Sequence, residues 1–255
     1  MKKYRGVFLK NENEIAIMRE ANRIGAMILD ELEKAVAPGT KTMFFEEICQ
    51  DCCRRYSVKP AFQGYQGYPF ALCCSVNEQV VHGFPSERVL LEGDIVSFDM
   101  GVVFEGFISD SARTVGVGKI DNTAKKLMSV TKESLDAAIA QARPGKMLND
   151  VSRAVQKVVE GAGYHVIRRF VGHGIGRSMH EKPEIPNFVL PGLPELPLQP
   201  GMVLAIEPMV AIGTHEVDIL ADGWTAVTRD KSLAAHFEHS VAITTTGNEV
   251  LSRIS

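Results

Sequence analysis

The second half of the chain repeats the plan of the first half. In each half a glycine is followed by an apolar, strand-like run that ends on a carboxylate six residues later, so that Gly93 precedes Asp99 and Gly201 precedes Glu207. An internal repeat is the signature of a fold built from related units that stack on one another. We therefore expect two similar halves that pack against each other.

The chain is expected to form one domain. Length alone fits one large domain or two small ones. No linker of low complexity separates the halves, so we predict a single domain over residues 1–255 with pseudo-repeats at about 10–118 and 120–250. Helical and strand-like segments occur in both halves, so the fold class is expected to be α/β (α+β). Apolar periodicity predicts these helices over 12–36, 43–56, 122–142 and 148–161.

Two strand-like runs on either side of Glu105-Gly106 predict a β-hairpin. Folding the chain at this turn brings Asp99 to within one or two positions of Asp110, where facing Cβ atoms lie about 4.5 to 7 Å apart. Two carboxylates in an otherwise apolar hairpin must share a proton, turn out into water, or share a cation. The pair alone leaves these alternatives open.

Both acidic residues of the hairpin have counterparts in the second half. The segment around Glu238 follows the pattern of the segment around Asp110, just as the run that ends on Glu207 follows the run that ends on Asp99. Four carboxylates that meet between the halves would repel one another by several kcal/mol at low dielectric. Two divalent cations would remove that cost, and oxygen ligands with one imidazole suit Co, Mn, Fe or Zn. Such a centre hydrolyses amides or esters.

The imidazole is expected from the glycine-rich segment Gly172-His173-Gly174-Ile175-Gly176-Arg177-Ser178-Met179-His180. Each interior glycine would cost about 1 kcal/mol in a helix, so the segment is predicted to form a turned loop that brings both histidines to one pocket. The alternative is a glycine-rich surface loop with two solvated histidines.

Composition disfavours several classes of function. A net charge of −3 gives no basic footprint, so nucleic acid is not expected as a direct partner. No apolar run approaches the ~20 residues of a membrane span, and the apolar stretch after the basic first residues is too short for a signal peptide. The five cysteines are expected to be reduced thiols, and Cys49-x-x-Cys52-Cys53 is predicted as helix rather than as a zinc site. A cytoplasmic enzyme fits these features.

Seven motifs that occur in order resemble the type 1 methionine aminopeptidases, which are M24 metallopeptidases. They are His82 in Val-His-Gly-Phe-Pro, Asp99, Asp110, Gly172-His173-Gly174-Ile175-Gly176, His180 in Met-His-Glu-Lys-Pro, Glu207 in Ile-Glu-Pro-Met and Glu238 in Phe-Glu-His-Ser. The resemblance spans about residues 8–251 and implies the pita-bread fold. This fold has two pseudo-symmetric halves with antiparallel sheet covered by helices, and the two halves agree with the repeat. It also implies that the protein removes the N-terminal methionine of nascent proteins and peptides by dinuclear-metal-assisted hydrolysis.

The resemblance implies a ligand set for two divalent cations, Co, Mn, Fe or Zn. Asp99 would bind one metal, Asp110 and Glu238 would bridge the two, and His173 and Glu207 would bind the other. A hydroxide held between the metals would attack the scissile carbonyl. The free amine of the substrate would bind a metal, which restricts cleavage to the first peptide bond.

The resemblance also implies roles in catalysis and substrate binding. Glu207 would shuttle the proton, His180 would hydrogen-bond the carbonyl as it becomes an oxyanion, and His82 would contact the scissile nitrogen. Phe62 and Met179 depart from the family's usual pattern, in which a small residue and Phe are common, so selectivity among methionine analogues stays open. The expected side-chain pocket consists of Tyr65, Tyr68, Cys73, Met179 and Trp224.

The expected partner is a peptide or nascent-chain N-terminus that begins with Met, with the ribosome as a further partner, and the family type implies a monomer. Three rival functions are possible, and a small creatinase-like hydrolase without metal is disfavoured because all five ligands are present. A proline-specific peptidase shares the five ligands but usually carries a large additional N-terminal domain, and a non-catalytic binding protein of this fold would have lost ligands. The 26 residues between His180 and Glu207 are too few for the insertion that marks the type 2 enzymes.

Overall fold

The structure is a computed structural model, and it describes residues 2–190, 192 and 195–253. Four α-helices confirm the predicted helical segments, and their ends fall within two residues of the predicted bounds. They are α1 (Glu12–Lys34), α2 (Thr42–Arg55), α3 (Asn122–Gln141) and α4 (Leu148–Gly161).

A capping box fixes the start of α1. The Asn11 side chain accepts a hydrogen bond from the Glu14 amide, and the Glu14 carboxylate accepts one from the Asn11 amide, both at 3.0 Å. These bonds satisfy two amides that the first turn would otherwise leave free. One face of the helix carries Met18, Ile28 and Leu32, which are fully buried. Helix α1 therefore begins at a defined residue and packs this face into the core.

The strands are short and alternate with loops along both halves of the chain. They are β1 (Lys2–Tyr4), β2 (Val7–Leu9), β3 (Lys59–Pro60), β4 (Leu72–Val76), β5 (Gln79–Val81), β6 (Ile95–Met100), β7 (Val102–Phe104), β8 (Phe107–Ile108), β9 (Ser111–Gly116), β10 (His165–Val166), β11 (Gly172–Gly174), β12 (Glu181–Ile185), β13 (Val203–Ile206), β14 (Met209–Ala211), β15 (Val217–Ile219), β16 (Ala226–Thr228), β17 (Ala234–His236), β18 (His239–Ile243) and β19 (Asn248–Val250).

Two antiparallel sheets carry the repeat. The first has the order β4-β6-β9 and the second has the order β12-β11-β13-β18-β19. Strands β6 and β13 correspond to each other, because each follows the repeated glycine and pairs with the strand that follows the second acidic residue of its half. Helices α1 and α2 bury their apolar faces on the first sheet, and α3 and α4 bury theirs on the second. The helix-covered antiparallel sheet predicted from the sequence is therefore present in both halves.

The predicted hairpin is present, but it does not form one continuous ladder. Strands β7 and β8 pair beside the turn and join β3 in a small separate sheet, whereas β6 and β9 pair in the sheet with β4. The chain changes sheets at Gly101, where a side chain would collide with the Ser109 carbonyl. Within the β6–β9 ladder Asp99 lies opposite Ala112, two positions from Asp110. The predicted hairpin and the predicted proximity of the two aspartates are therefore both confirmed, and the division of the hairpin between two sheets was not predicted.

The two sheets that carry the repeat meet where β9 passes the start of β18. The Glu238 amide donates a hydrogen bond to the Ala112 carbonyl at 2.9 Å, and the Ser240 hydroxyl donates one to the Asp110 carbonyl at 2.9 Å. These bonds set the backbone of Asp110 beside that of Glu238. The second acidic residues of the two halves are therefore neighbours at the junction.

The five cysteines are buried free thiols, as predicted, with three in α2 and two in β4. Among the helices of the described residues, none has the length and apolar character needed to cross a membrane.

Candidate metal centre and cavity

A cavity of about 550 Å³ is lined by residues of both halves of the chain. The structure brings together in it all twelve residues that the sequence assigned to metal, catalysis or substrate. They are Tyr65, Tyr68, Cys73, His82, Asp99, Asp110, His173, Met179, His180, Glu207, Trp224 and Glu238.

Four carboxylates converge in this cavity. Asp99 lies on β6 and Glu207 directly follows β13, whereas Asp110 and Glu238 directly precede β9 and β18. Asp110 and Glu238 are 4% and 2% exposed. Burial raises the pKa of all four groups, to about 7 for Asp99, and the neighbouring carboxylates raise the pKa of the other three further. The cluster therefore binds protons near neutral pH unless a cation replaces them.

Several oxygens of the cluster have no hydrogen-bond partner within the described part of the chain. Asp99 Oδ1, Asp110 Oδ1 and Glu238 Oε1 are buried and unpaired, and each such group costs about 1–3 kcal/mol. One ligand atom from each of Asp110, His173 and Glu238 lies within 4.8 Å of the others. Carboxylate oxygens with one imidazole nitrogen are a donor set suited to a divalent first-row metal. The unpaired oxygens therefore fit a bound cation.

His173 and His180 lie in one cavity with their ring centroids 4.4 Å apart, which confirms that the segment turns to bring both to one pocket. The prediction of a loop is wrong for Gly172–Gly174, which forms strand β11. His173, on β11, is only 6% exposed, so the alternative of a solvated histidine is wrong for this residue. Its Nδ1 donates to the Gly174 carbonyl at 3.0 Å, and its Nε2 lies 3.6 Å from Asp110 Oδ2 and 3.5 Å from Glu207 Oε1. Burial lowers the pKa of His173 to about 4. The ring is therefore neutral, and its Nε2 lone pair faces the carboxylates.

The end of the glycine-rich segment is fixed by a buried ion pair. The Glu181 carboxylate accepts a hydrogen bond from Lys10 Nζ at 2.7 Å and another from the Arg177 amide at 2.9 Å. The side chains of Lys10 and Glu181 are 1% and 4% exposed. At Gly176 a Cβ would lie 2.7 Å from Glu181 Oε1, so a side chain here would displace the Lys10–Glu181 pair. The ion pair thus anchors the residue that directly follows His180.

His82 follows β5 with a left-handed backbone conformation, φ 60°. This conformation is uncommon for residues other than glycine and persists only where the surroundings hold it. The imidazole packs edge-on against Phe170 at 5.2 Å and against Trp224 at 6.1 Å between ring centroids. Burial lowers the pKa of His82 to about 4, with a further contribution from His180. A neutral imidazole is thus held at one side of the cavity.

The cavity also has an apolar wall. Tyr68 is 3% exposed and packs edge-on against Trp224, with ring centroids 5.1 Å apart. Cys73 and Met179 are 3% and 2% exposed. Phe62, one of the two departures from the family pattern, lines the cavity together with Met179, the other. An unbranched apolar side chain in the cavity would therefore contact both aromatic rings and sulphur atoms.

A buried histidine beside the cluster was not predicted. His236 is 1% exposed, and its Nε2 lies 3.8 Å from Glu207 Oε2 without a hydrogen-bond partner in the described part of the chain. Burial lowers the pKa of His236 to about 3. Residues two apart in an extended chain face the same side, so the position of His236 two residues before Glu238 was the signal available in the sequence.

Three exposed charged residues that were not predicted also line the cavity, namely Arg169, Lys182 and Glu184. In a chain in which 23% of residues are charged, charge alone did not mark these positions.

Comparison with known sequences gives a consistent result. The sequence profile described as Metallopeptidase family M24 matches residues 16–245. The methionine aminopeptidase of Clostridium acetobutylicum is 47% identical over 247 residues, which cover 96% of this chain and 98% of that protein. Methionine aminopeptidase 1 of Bacillus subtilis is 45% identical over 248 residues, which cover 97% of this chain and 100% of that protein.

Solved structures agree with the sequence comparisons. The crystal structure of methionine aminopeptidase from Thermotoga maritima matches with a TM-score of 0.94 at 46% identity, covering 97% of this chain and 100% of that one. Prolidase from Pyrococcus furiosus matches with a TM-score of 0.79 at 22% identity, covering 97% of this chain and 66% of that one. At this lower identity the likeness to prolidase shows a common fold and nothing further.

Proposed function

The chain belongs to metallopeptidase family M24, and from this membership we propose that it hydrolyses the first peptide bond of proteins and peptides that begin with methionine, releasing free methionine. The fold is the pita-bread fold, which the sequence resemblance implied and which both solved relatives share. Relatives named methionine aminopeptidase match over nearly their whole length at 45–47% identity. The proline-specific alternative shares only the fold at 22% identity.

One observation carries the proposal. A single cavity contains an acidic cluster with unpaired oxygens, three histidines and an apolar wall. The acidic cluster fits the divalent cations that metallopeptidases use, and the apolar wall fits a thioether side chain. A binding protein without activity would have no need of unpaired buried carboxylates, which are destabilising on their own.

We infer that the cavity binds two cations. Asp99 is assigned to one of them, Asp110 and Glu238 to both, and His173 and Glu207 to the other. The distances of 3.6 and 3.5 Å from His173 Nε2 to the Asp110 and Glu207 oxygens support this grouping. Divalent cations such as Co, Mn, Fe or Zn supply a water nucleophile at neutral pH and polarise the scissile carbonyl.

The side chains of the protein position the substrate and move the proton. His180 is assigned a hydrogen bond to the scissile carbonyl oxygen, which strengthens as negative charge develops there. His82 is assigned to the scissile nitrogen. Glu207 is assigned as the group that accepts a proton and passes it to the departing amine.

The substrate's methionine side chain is assigned to the apolar wall of Tyr68, Cys73, Met179 and Trp224. A pocket of this kind distinguishes one methylene by only about 1–3 kcal/mol. We therefore expect norleucine-like side chains to be accepted with reduced efficiency, while charged side chains are excluded because the buried wall offers them no partner.

The test is release of free amino acid from defined peptides. Metal-loaded protein should release methionine from Met-Gly-Met-Met, should leave the alanine of Ala-Pro-Gly in place, and should lose activity on dialysis against a chelator. The control is the Asp218→Asn variant, which removes an exposed carboxylate that does not line the cavity and should retain full activity. Cleavage of Ala-Pro-Gly alone would replace the proposal with a proline-specific peptidase, and undiminished activity after complete metal removal would refute the metal centre.

Four further assignments are proposals. Residues 1–255 are taken as one catalytic domain, supported by the Asp110 and Glu238 segments, which place ligands from both halves at one junction. A cytoplasmic location is predicted from composition, and a monomeric state and a contact with the ribosome are predicted from the family resemblance.

A further inference from the structure

The two histidines of the glycine-rich segment have different partners at Nδ1. His173 Nδ1 lies 3.0 Å from the Gly174 carbonyl oxygen, which only accepts, so this nitrogen carries the proton. His180 Nδ1 lies 2.7 Å from the Tyr65 hydroxyl, which both donates and accepts. The state of His180 therefore depends on the direction of the bond from Tyr65.

The surroundings of Tyr65 set this direction. Its hydroxyl oxygen also lies 3.4 Å from Gln66 Nε2, which only donates. If His180 donated as well, the tyrosine oxygen would accept twice, and its own proton would be left to solvent rather than to a protein acceptor. A phenol is also a stronger donor than a neutral imidazole N–H, and the bare ring nitrogen is the stronger acceptor. Both considerations favour donation from Tyr65 to His180 Nδ1.

We infer that Tyr65 is a positioning residue that holds His180 in the tautomer protonated at Nε2. The neighbouring histidines then have opposite tautomers, with His173 presenting a lone pair to the acidic cluster and His180 presenting a proton to the cavity. The tautomers are a property of the chain itself. Their catalytic meaning rests on the proposed function, in which His180 donates to the scissile carbonyl oxygen.

The segment that carries Tyr65 has an unusual backbone. Gly64, Gln66 and Gly67 have φ angles of 84°, 49° and 89°, so three of four consecutive residues adopt left-handed conformations around the tyrosine. Gln66 is not glycine, and strain of this kind persists where contacts on both sides fix it. This turn brings the Tyr65 hydroxyl within hydrogen-bond distance of His180 Nδ1, and it brings the Gln66 amide nitrogen close to the same hydroxyl. We regard this turn as the element that selects the tautomer.

The inference is tested directly by nitrogen NMR of protein labelled with ¹⁵N histidine, in the metal-free and the zinc-loaded state at neutral pH. The His180 signals, identified by their loss in His180→Ala, should show a bare Nδ1 and a protonated Nε2. His173 in the metal-free protein should show the reverse. A His180 ring protonated at Nδ1, or at both nitrogens, would overturn the inference. This spectrum decides the tautomer even if the protein releases no methionine, so the two proposals fail separately.

The Tyr65→Phe variant tests the role of the hydroxyl. We expect a mixture of His180 tautomers, unchanged metal content, little change in KM, and a kcat about 10- to 100-fold lower, less than the roughly 100- to 1000-fold cost of losing an oxyanion donor outright. Tyr56→Phe is the matched control, because it removes a hydroxyl that does not line the cavity. An unchanged tautomer and kcat in Tyr65→Phe would contradict the inference. If this variant fails to fold, the wild-type spectrum remains decisive.

Discussion

Asp110 has surroundings that strongly disfavour a negative charge. It is 4% exposed, and both Asp99 and Glu207 raise its pKa beyond the effect of burial. Only a backbone hydrogen bond with Ser111 acts in the opposite direction. A cation bound between the halves would relieve the repulsion that burial otherwise leaves uncompensated. We therefore expect metal binding to depend on this side chain.

At the residue scale, Asp110→Asn should lose at least one of two bound metal ions and nearly all methionine release. The amide keeps the size of the side chain but removes the charge that two cations would share, and the fall in activity should exceed about 100-fold, the cost of even a small misplacement of reacting groups. Metal analysis and peptide hydrolysis measure the two effects. Because one repelling charge is removed, the metal-free variant should unfold at no lower temperature than the metal-free parent.

The comparison variant is His180→Ala, which should keep both metal ions while activity collapses, since His180 is assigned to the substrate and not to a metal. Full turnover of Asp110→Asn with two bound metals would contradict the bridging assignment. A lower metal content in His180→Ala would make His180 a ligand instead.

At the scale of the elements, the buried Lys10–Glu181 pair joins the chain before α1 to the loop that carries His180. The exposed pair between Lys41 and Glu87 has the same length, 2.7 Å, but its side chains are 58% and 76% exposed. Breaking a buried pair costs about 3–5 kcal/mol because the remaining charge is uncompensated, whereas an exposed pair contributes about 0–1 kcal/mol. Two ion pairs of equal length are therefore expected to contribute very differently to the free energy of unfolding, because one is buried and the other is exposed.

Lys10→Met should lower the free energy of unfolding by about 3 kcal/mol or more, and it should lower kcat with less effect on metal content because the His180 loop loses its anchor. Lys41→Met is the matched control and should change the free energy of unfolding by less than about 1 kcal/mol. Urea denaturation measures both. The double variant Lys10→Met, Glu181→Gln should recover much of the lost stability, because no unpaired charge is left buried. Equal losses of stability in Lys10→Met and Lys41→Met would contradict the claim that burial sets the contribution of an ion pair.

Elements defined by local patterns were predictable, and contacts between distant segments were not. The helices follow from apolar periodicity, and the proximity of Asp99 to Asp110 follows from the strand pattern around one turn. The division of that hairpin between two sheets depends on the close approach of Gly101 to Ser109. The bonds from Tyr65 to His180 and from Lys10 to Glu181 join residues more than 100 positions apart. No local spacing encodes such contacts, because they are set by packing of the whole chain.

At the scale of the whole molecule, two kinds of buried titratable group act in opposite directions. Burial raises the pKa of the acidic cluster, that of Asp99 from 3.8 to about 7, so the folded state binds more protons than the unfolded chain. Burial lowers the pKa of His82 and His173 from 6.5 to about 4, so here the folded state binds fewer. Because the folded state retains protons on the carboxyl groups, these groups make the free energy of unfolding fall as pH rises. Because the folded state excludes protons from the histidines, the histidines make the free energy of unfolding rise with pH up to about pH 6.5.

The metal-free protein should therefore lose stability above pH 6.5, where only the carboxyl effect remains. The expected loss is about 1.4 kcal/mol per pH unit for each proton that the folded cluster retains. Urea denaturation at several pH values, in the presence of a chelator, measures it. With a divalent metal bound, the carboxylates are charged in the folded state and this fall should disappear. A metal-free stability that stays constant or rises above pH 6.5 would contradict the raised carboxyl pKa values.

The most direct measurement on the metal centre is an anomalous-scattering map from a crystal of the manganese-loaded protein. We predict two peaks at the junction of the halves, one beside Asp99 and the other beside His173 and Glu207, with Asp110 and Glu238 touching both. A map with no peak among these five side chains, or with manganese bound elsewhere in the cavity, would contradict the claim that carboxylates from both halves jointly hold a pair of cations.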